Sequence, residues 1–336
     1  MIHIALPDTL LKTAKEGVPN KRLSFYLAME EYVARELKHF DECFFLWQVN
    51  PTVIFGRNQL IQNEVNVDYC KANAIDMIRR KSGGGCVYAD MNNIMFSYIN
   101  TGWNVSLTFE SYITKVVTML RSLGVEAIAS SRNDILIDGR KVSGNAFYHI
   151  PGRNVVHGTM LYDTDMKNMV SAITPSNAKL ISKGVKSVRQ HISLLKDYIG
   201  DKMNITQFKD YTCKFMCDSE YILSEKEVRD IEEIQKEYHS DAYIFGNNPN
   251  YSIQRKRRLE GVGEFDVRIE IKNDIVKHIN ILGDFFLVGD LNAFLEKFKN
   301  IAYNKTSLEN VLSYTDVSQV IMGIDAEKFV DLLIDN

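Results

Sequence analysis

Proline, cysteine and long apolar runs are all scarce in this sequence. Six prolines in 336 residues exclude a collagen-like or Pro-rich chain. The five cysteines, Cys43, Cys70, Cys86, Cys213 and Cys217, are odd in number and lack the spacing of a disulfide scaffold. That predicts free thiols in a reducing, cytoplasmic compartment. No run approaches the ~18 apolar residues of a membrane-spanning helix. The first segment, MIHIALPDTLLKTAKEGVPNKR, is broken early by polar residues and has no apolar core of signal-peptide length. An excess of either charge is missing too, since Lys+Arg 40 against Asp+Glu 43 leaves a net charge of −3. That balance argues against a nucleic-acid coat and against an anionic-membrane binder, so neither partner is expected. No internal repeat or low-complexity segment occurs.

What is present is an ordinary globular composition, 45% hydrophobic and 25% charged, with length for one large domain and a smaller one. Ser24 can cap a helix over Phe25–Leu37, whose apolar residues recur at three- and four-residue spacing. Phe109–Leu123 is a second amphipathic helix, with Gly124 placed to end it. A helix over Val67–Ala74 is also expected. Apolar runs rich in β-branched and aromatic residues predict strands at Cys43–Val49, Thr52–Phe55, Asp76–Arg80, Cys86–Tyr88, Asn93–Ile99, Val125–Ala129, Ile135–Ile137, Val142–Tyr148 and Val155–Tyr162. The order is neither a clean βαβ alternation nor a row of hairpins, and predicts an α+β fold with a mixed, largely antiparallel sheet. Helices follow at 205–217 and 224–238, the second opening with a Ser224/Glu227 capping box. The turn-rich run Gly246-Asn247-Asn248-Pro249-Asn250 is the best domain boundary. After it, three strands and two helices, near 290–299 and 306–314, make a small α+β module. The expected domains are 1–246 and 251–336.

Four segments carry candidate chemistry. In Arg79-Arg80-Lys81-Ser82-Gly83-Gly84-Gly85-Cys86-Val87-Tyr88, three glycines let the backbone lie close to a ligand, and its N–H groups can hold phosphate or carboxylate oxygens. A flexible hairpin with a solvated basic flank is the plainer reading. No GxxxxGK[ST] motif occurs. Asn133-Asp134 opens a hairpin with an Asp138-Gly139 turn. Lys141 follows that turn, either as a solvated edge residue or as a fixed positive charge facing an acyl or phosphoryl group. Gly144 would allow close approach. His157-Gly158 opens a strand, and no second ligand lies at metal spacing near His157. Lys183-Gly184-Val185-Lys186-Ser187-Val188-Arg189 is a basic loop suited to phosphate or to plain solvation.

Together and in this order, RRKSGGGCVYAD, NDILIDGRKVSGNAF, HGTMLYDTDM and KLISKGVKSVRQ resemble the lipoate–protein ligase A family. FFLWQVNPTVIFGRNQ and LAMEEYV also match its patterns, and the last ~85 residues resemble the accessory domain of its two-domain bacterial members. The resemblance implies a biotin/lipoate ligase-like catalytic domain and an ATP-dependent ligase. Such an enzyme activates lipoate to lipoyl-AMP, releases pyrophosphate, and passes the acyl group to a lysine of a lipoyl carrier. The implied partners are apo lipoyl domains of E2 subunits of 2-oxoacid dehydrogenase complexes, or the glycine cleavage H protein. ATP and lipoate are the implied substrates, and Mg²⁺ is expected with ATP, its protein ligands unknown. The catalytic residue implied is Lys141. ATP would meet Arg80, Gly85, Cys86, Val87, Tyr88, Asn133, Asp134, Lys141, Lys183, Gly184 and Ser187. Lipoate would meet Arg79, Ser82, Gly83, Gly84, Lys141, His157 and Gly158.

The chain departs from the family pattern at Cys86, where alanine is common, at Ala89, where histidine is frequent, at Asn145 in place of serine, and at a single His157 where two histidines are frequent. Alternative readings are an octanoyl- or lipoyl-transferase with an acyl-cysteine intermediate, for which only Cys86 is well placed, and a non-catalytic lipoate- or nucleotide-binding protein. The GRGRxGR-type loop of a biotin ligase is absent.

Overall fold

The computed structural model describes residues 1–11, 21–59, 61–102, 104–130, 133–173, 191–240, 243–244, 252–272 and 274–334. Among them, eight strands form one sheet in the spatial order Ser219–Ile222, Ile2–Ala5, Glu42–Trp47, Ile94–Thr101, Arg153–Met160, Arg140–Ile150, Asp134–Ile137, Ala127–Ala129. Ile2–Ala5 runs parallel to both its neighbours, and the remaining pairs are antiparallel. This is the mixed α+β architecture expected, although Ile2–Ala5 and its partner Ser219–Ile222 were not read as strands. Both are only four residues long, and Ser219–Ile222 is mostly exposed and leaves no apolar pattern.

Both faces of the sheet are covered, which is why its central strands read as continuous apolar runs. In the Ile94–Thr101 strand, Ile94, Phe96 and Tyr98 enter the core under the Val105–Ser122 helix. Met95 and Ile99 enter the opposite core, under the Leu23–Glu36 helix. The Val105–Ser122 helix starts a turn earlier than its apolar stripe suggested, because the Asn104 side chain accepts the Leu107 N–H at 3.1 Å. Gly124 follows at φ 79°, as a helix-ending glycine should. The Leu23–Glu36 helix, by contrast, has no side-chain cap. Ser24 lies inside it, buried, with Oγ 3.0 Å from His239 Nε2 and accepting Gln235 Nε2 at 2.8 Å. Packing against the Glu225–Gln235 helix consumes the hydroxyl that the sequence offered as a cap. The Ser224/Glu227 capping box is present.

A second sheet, in the order Asp76–Arg79, Thr52–Phe55, Val87–Ala89, carries the glycine-rich segment at its end. The third, antiparallel, sheet comprises Ile253–Leu259, Gly263–Lys272 and Ile275–Gly283. With helices Leu291–Glu296, Lys305–Leu312 and Ala326–Leu333 it has its own core around Phe265, Phe294, Phe298 and Phe329. Ala326–Leu333 is a helix beyond the two expected, capped by Asp325. This module lies directly on the glycine-rich segment. Gly84 N–H donates to Phe285 O at 3.2 Å, and Gly283 N–H to Asn58 O at 2.9 Å. The run Gly246–Asn250 lies outside the described residues. Among the described residues, no helix is long and apolar enough to cross a membrane.

Candidate active site

The hairpin that bears Lys141 forms as the sequence predicts. Asp138 and Gly139 both have positive φ, 51° and 73°, the pattern of a tight hairpin turn. The pairing then slips: Leu136 faces Lys141 while Ile135 faces Ser143, so Val142 is an extra residue and the strand bulges. Beyond the bulge the Lys141 side chain folds over Gly144, where a β-carbon would meet Nζ at 2.5 Å. Lys141 Nζ also pairs with Asp134 Oδ1 at 2.8 Å, each side chain about one third exposed (33% and 28%). Asn133 Nδ2 donates to Asn145 O at 2.7 Å, and Asn145 Nδ2 returns a bond to Asn133 O at 3.0 Å, tying the two strands together.

Lys141 lines a cavity together with the apolar side chains of Leu27, Trp47, Ile54 and Met95 and with Asn133, Gly144 and Thr159. Arg80, Gly84, Gly85, Cys86 and Val87 supply another wall, and Phe286 of the C-terminal module joins it. The Phe286 ring stacks on Phe147 with centroids 5.7 Å apart. Gly84 has φ 84°, and a β-carbon there would press on that ring at 3.0 Å. Gly83 lies under Phe285 O, while Gly85 is open and exposed.

The two arginines before the glycines have different fates. Arg79 points away from the cavity, and its guanidinium donates to the carbonyls of Gly56, Arg57, Gln59, Tyr243 and Ile244. Arg80 stays at the cavity. Its Nε donates to Ser82 Oγ at 2.9 Å and its Nη2 to Gly83 O and Gly85 O at 2.6 and 2.7 Å. Burial brings both guanidinium pKa values down to about 10, leaving them charged at neutral pH. Arg80 is therefore the clasp of the glycine loop.

His157 lines the cavity and Gly158 gives room to Asn145 across the strands. His157 Nε2 is 2.6 Å from Ser82 Oγ, and Nδ1 is 2.9 Å from Glu30 Oε2. Glu30 is completely buried; it falls in the segment LAMEEYV that resembles the family, but the resemblance assigns it no individual role. The signal was present: two consecutive glutamates, Glu30 and Glu31, sit inside a helix buried almost all round. Glu31 in turn holds Lys81 at 2.7 Å, so both glutamates fasten the glycine loop.

Burial pushes the Cys86 thiol pKa well above its usual range, with the nearby Arg80 charge only partly opposing that. The Tyr88 ring faces the core of the small sheet and not the cavity. Lys183, Gly184 and Ser187 lie outside the described residues. Ser193, in the described residues that follow, donates its N–H to Lys141 O at 2.8 Å. Among the described residues no group of three His, Cys, Asp or Glu side chains is placed to hold a metal.

Residues 23–216 match the family model of the lipoyl protein ligase A/B catalytic domain, and residues 248–333 match that of the bacterial lipoate protein ligase C-terminus. The chain is 34% identical over 317 residues to the lipoate–protein ligase LplJ of Bacillus subtilis, covering 91% of this chain and 95% of that one. Its fold is similar to a P. falciparum protein crystallised in complex with lipoate, with TM-score 0.77, 18% identity, and 98% and 97% of the two chains covered. It is also similar to a lipoate–protein ligase A bound with ATP, with TM-score 0.62, 22% identity, and 73% and 98% covered. The chain belongs to the lipoate–protein ligase family, the fold and enzyme class that the sequence resemblance implied.

Proposed function

We propose that this enzyme joins lipoate to ATP as lipoyl-AMP, releasing pyrophosphate, and then transfers the lipoyl group to a lysine of an apo lipoyl domain. The observation that carries the reading is the placement of Lys141, a cation that lines one cavity with the apolar side chains of Leu27, Trp47, Ile54 and Met95 and with the open backbone of Gly85. The apolar lining suits the acyl chain and its ring, which lose water on entering. A carboxylate is a poor electrophile until one oxygen leaves as AMP. Lys141 Nζ, bridging the α-phosphate and the acyl carbonyl oxygen, stabilises charge that grows in the transition state. To do so it leaves Asp134, which is then free to take the proton of the incoming amine, whose ordinary pKa is near ~10.4.

Arg80 and the backbone from Gly85 to Tyr88 are assigned to ATP, with Asn133, Asp134 and the segment bearing Lys183, Gly184 and Ser187. Ser82, Gly83, Gly84, His157 and Gly158 are assigned to the lipoate side. Arg79 takes a supporting place, because unlike Arg80 it does not line the cavity and its guanidinium is turned to the carbonyls of other segments. Mg²⁺ would arrive with ATP, held chiefly by its phosphates. Residues 1–246 are proposed as the catalytic domain and 251–336 as the accessory one. The E2 lipoyl domains and the glycine cleavage H protein are the proposed acceptors, in the cytoplasm. An acyl-cysteine route is disfavoured by the Cys86 thiol, which burial keeps protonated and so poorly nucleophilic.

Purified protein incubated with ATP, lipoate and an apo lipoyl domain should add one lipoyl group to the carrier by intact mass, only with ATP. An acceptor that stays unmodified, with no lipoyl-AMP formed, would overturn the reading.

A further inference from the structure

One unbroken series of side-chain contacts joins the apolar floor of the cavity to the glycine loop. Trp47 Nε1 donates to Ser97 Oγ at 2.8 Å, and Ser97 Oγ donates to Glu30 Oε1 at 2.6 Å. His157 Nδ1 lies 3.1 and 2.9 Å from the two Glu30 oxygens, and Nε2 lies 2.6 Å from Ser82 Oγ. Ser82 accepts Arg80 Nε, and Arg80 clasps Gly83 O and Gly85 O. Trp47, His157 and Arg80 all line the cavity, whereas Glu30 does not.

The donors fix the proton order. Indole N–H can only donate, so the single Ser97 hydrogen goes to Glu30. An isolated carboxylate buried here would be costly unless hydrogen-bonded and paired, and the facing group is His157. A carboxylate at Glu30 requires the hydrogen on Nδ1, which leaves Nε2 for Ser82. We propose that Glu30 is a positioning residue. Through His157 it holds the Nδ1–H form and the ring plane, and so ties the glycine loop that receives the acyl carboxylate to the floor that receives the acyl chain. The inference rests on the ligase reading for the identity of the acyl ligand, while the state of His157 stands apart from it.

Two measurements test it on the full chain. Nitrogen-15 NMR of the ring nitrogens, with the His157 signals identified by a His157→Gln variant, should show Nδ1 protonated in the unmutated protein. The signals should change in Glu30→Gln, which keeps side-chain volume and removes the charge. Lipoate binding by calorimetry should weaken about tenfold in Glu30→Gln, the size of a lost hydrogen bond to a charged group. The melting temperature should stay within a few degrees. The double variant Glu30→Gln/His157→Gln should bind no worse than His157→Gln alone, since the two losses share one path. Should Glu30→Gln fail to fold, Ser97→Ala reads the same relay, with a shifted Nδ1 signal and about threefold weaker lipoate binding. Protonation at Nε2 alone in the unmutated protein, additive losses, or lipoate affinity unchanged in a folded Glu30→Gln would each overturn the proposal. Absence of lipoyl-AMP formation by the unmutated enzyme would count against the ligase reading alone, and the NMR result would still decide the state of His157.

Discussion

The Lys141 ammonium rests on the backbone of Gly144, at a place where a β-carbon would stand 2.5 Å from Nζ. The ion pair with Asp134 at 2.8 Å holds it there. Lys141→Ala should leave a folded protein whose rate of lipoyl-AMP formation falls by about 10²–10³, the cost of losing one preorganised electrostatic group. Gly144→Ala should act in the same direction and less severely, by displacing the amine. Pyrophosphate release measures both, and a near-normal rate in Lys141→Ala would remove the residue from the mechanism.

Phe286 reaches from the C-terminal module to stack on Phe147. Phe286→Ala should loosen the module where Gly84 N–H donates to Phe285 O. The expected signature is faster amide exchange at Gly84 with little change in the module's own core around Phe294 and Phe329, because that core is separate. Uniform loss of protection across the chain would mean that the module and the catalytic domain do not unfold independently.

Cys86→Ala should retain ATP-dependent transfer of lipoate to the carrier lysine. With AMP as leaving group, an acyl-enzyme is unnecessary. Because the thiol pKa is pushed far up by burial, no activity limb near pH 8–9 should vanish in the variant, and alkylation at pH 8 should be slow. An acyl adduct on Cys86 by mass spectrometry would restore the transferase reading.

Glu64 carries a carboxyl whose pKa is raised, first by burial and then by Asp284 and Glu264 of the C-terminal module. A raised acid binds its proton more tightly in the folded than in the unfolded state. Its ionisation therefore costs stability as pH climbs from the ordinary glutamate range through the raised value. Glu64→Gln should raise the melting temperature at pH 7, and the gain should disappear below about pH 4, near the ordinary glutamate pKa, where both states are protonated. Equal melting temperatures at pH 7 would show that solvent already relieves the charge.

Local sequence signals carry most of the elements and the reaction class. Apolar periodicity marks the Val105–Ser122 helix, the Asp138-Gly139 turn marks the hairpin, and four spaced motifs carry the family resemblance. These signals are local, carried by neighbours along the chain. Which polar groups are spent on the fold and which face the cavity follows from packing between distant segments. Arg79 and Arg80 are adjacent and alike in sequence, yet Arg79 turns to carbonyls away from the cavity while Arg80 lines the cavity and holds the carbonyls of the glycine loop. Glu30 and His157 are 127 residues apart, and Phe286 meets Phe147 across two modules. Such pairings follow from sheet register and packing, in which burial forces each charge to find a partner wherever the folded chain brings one.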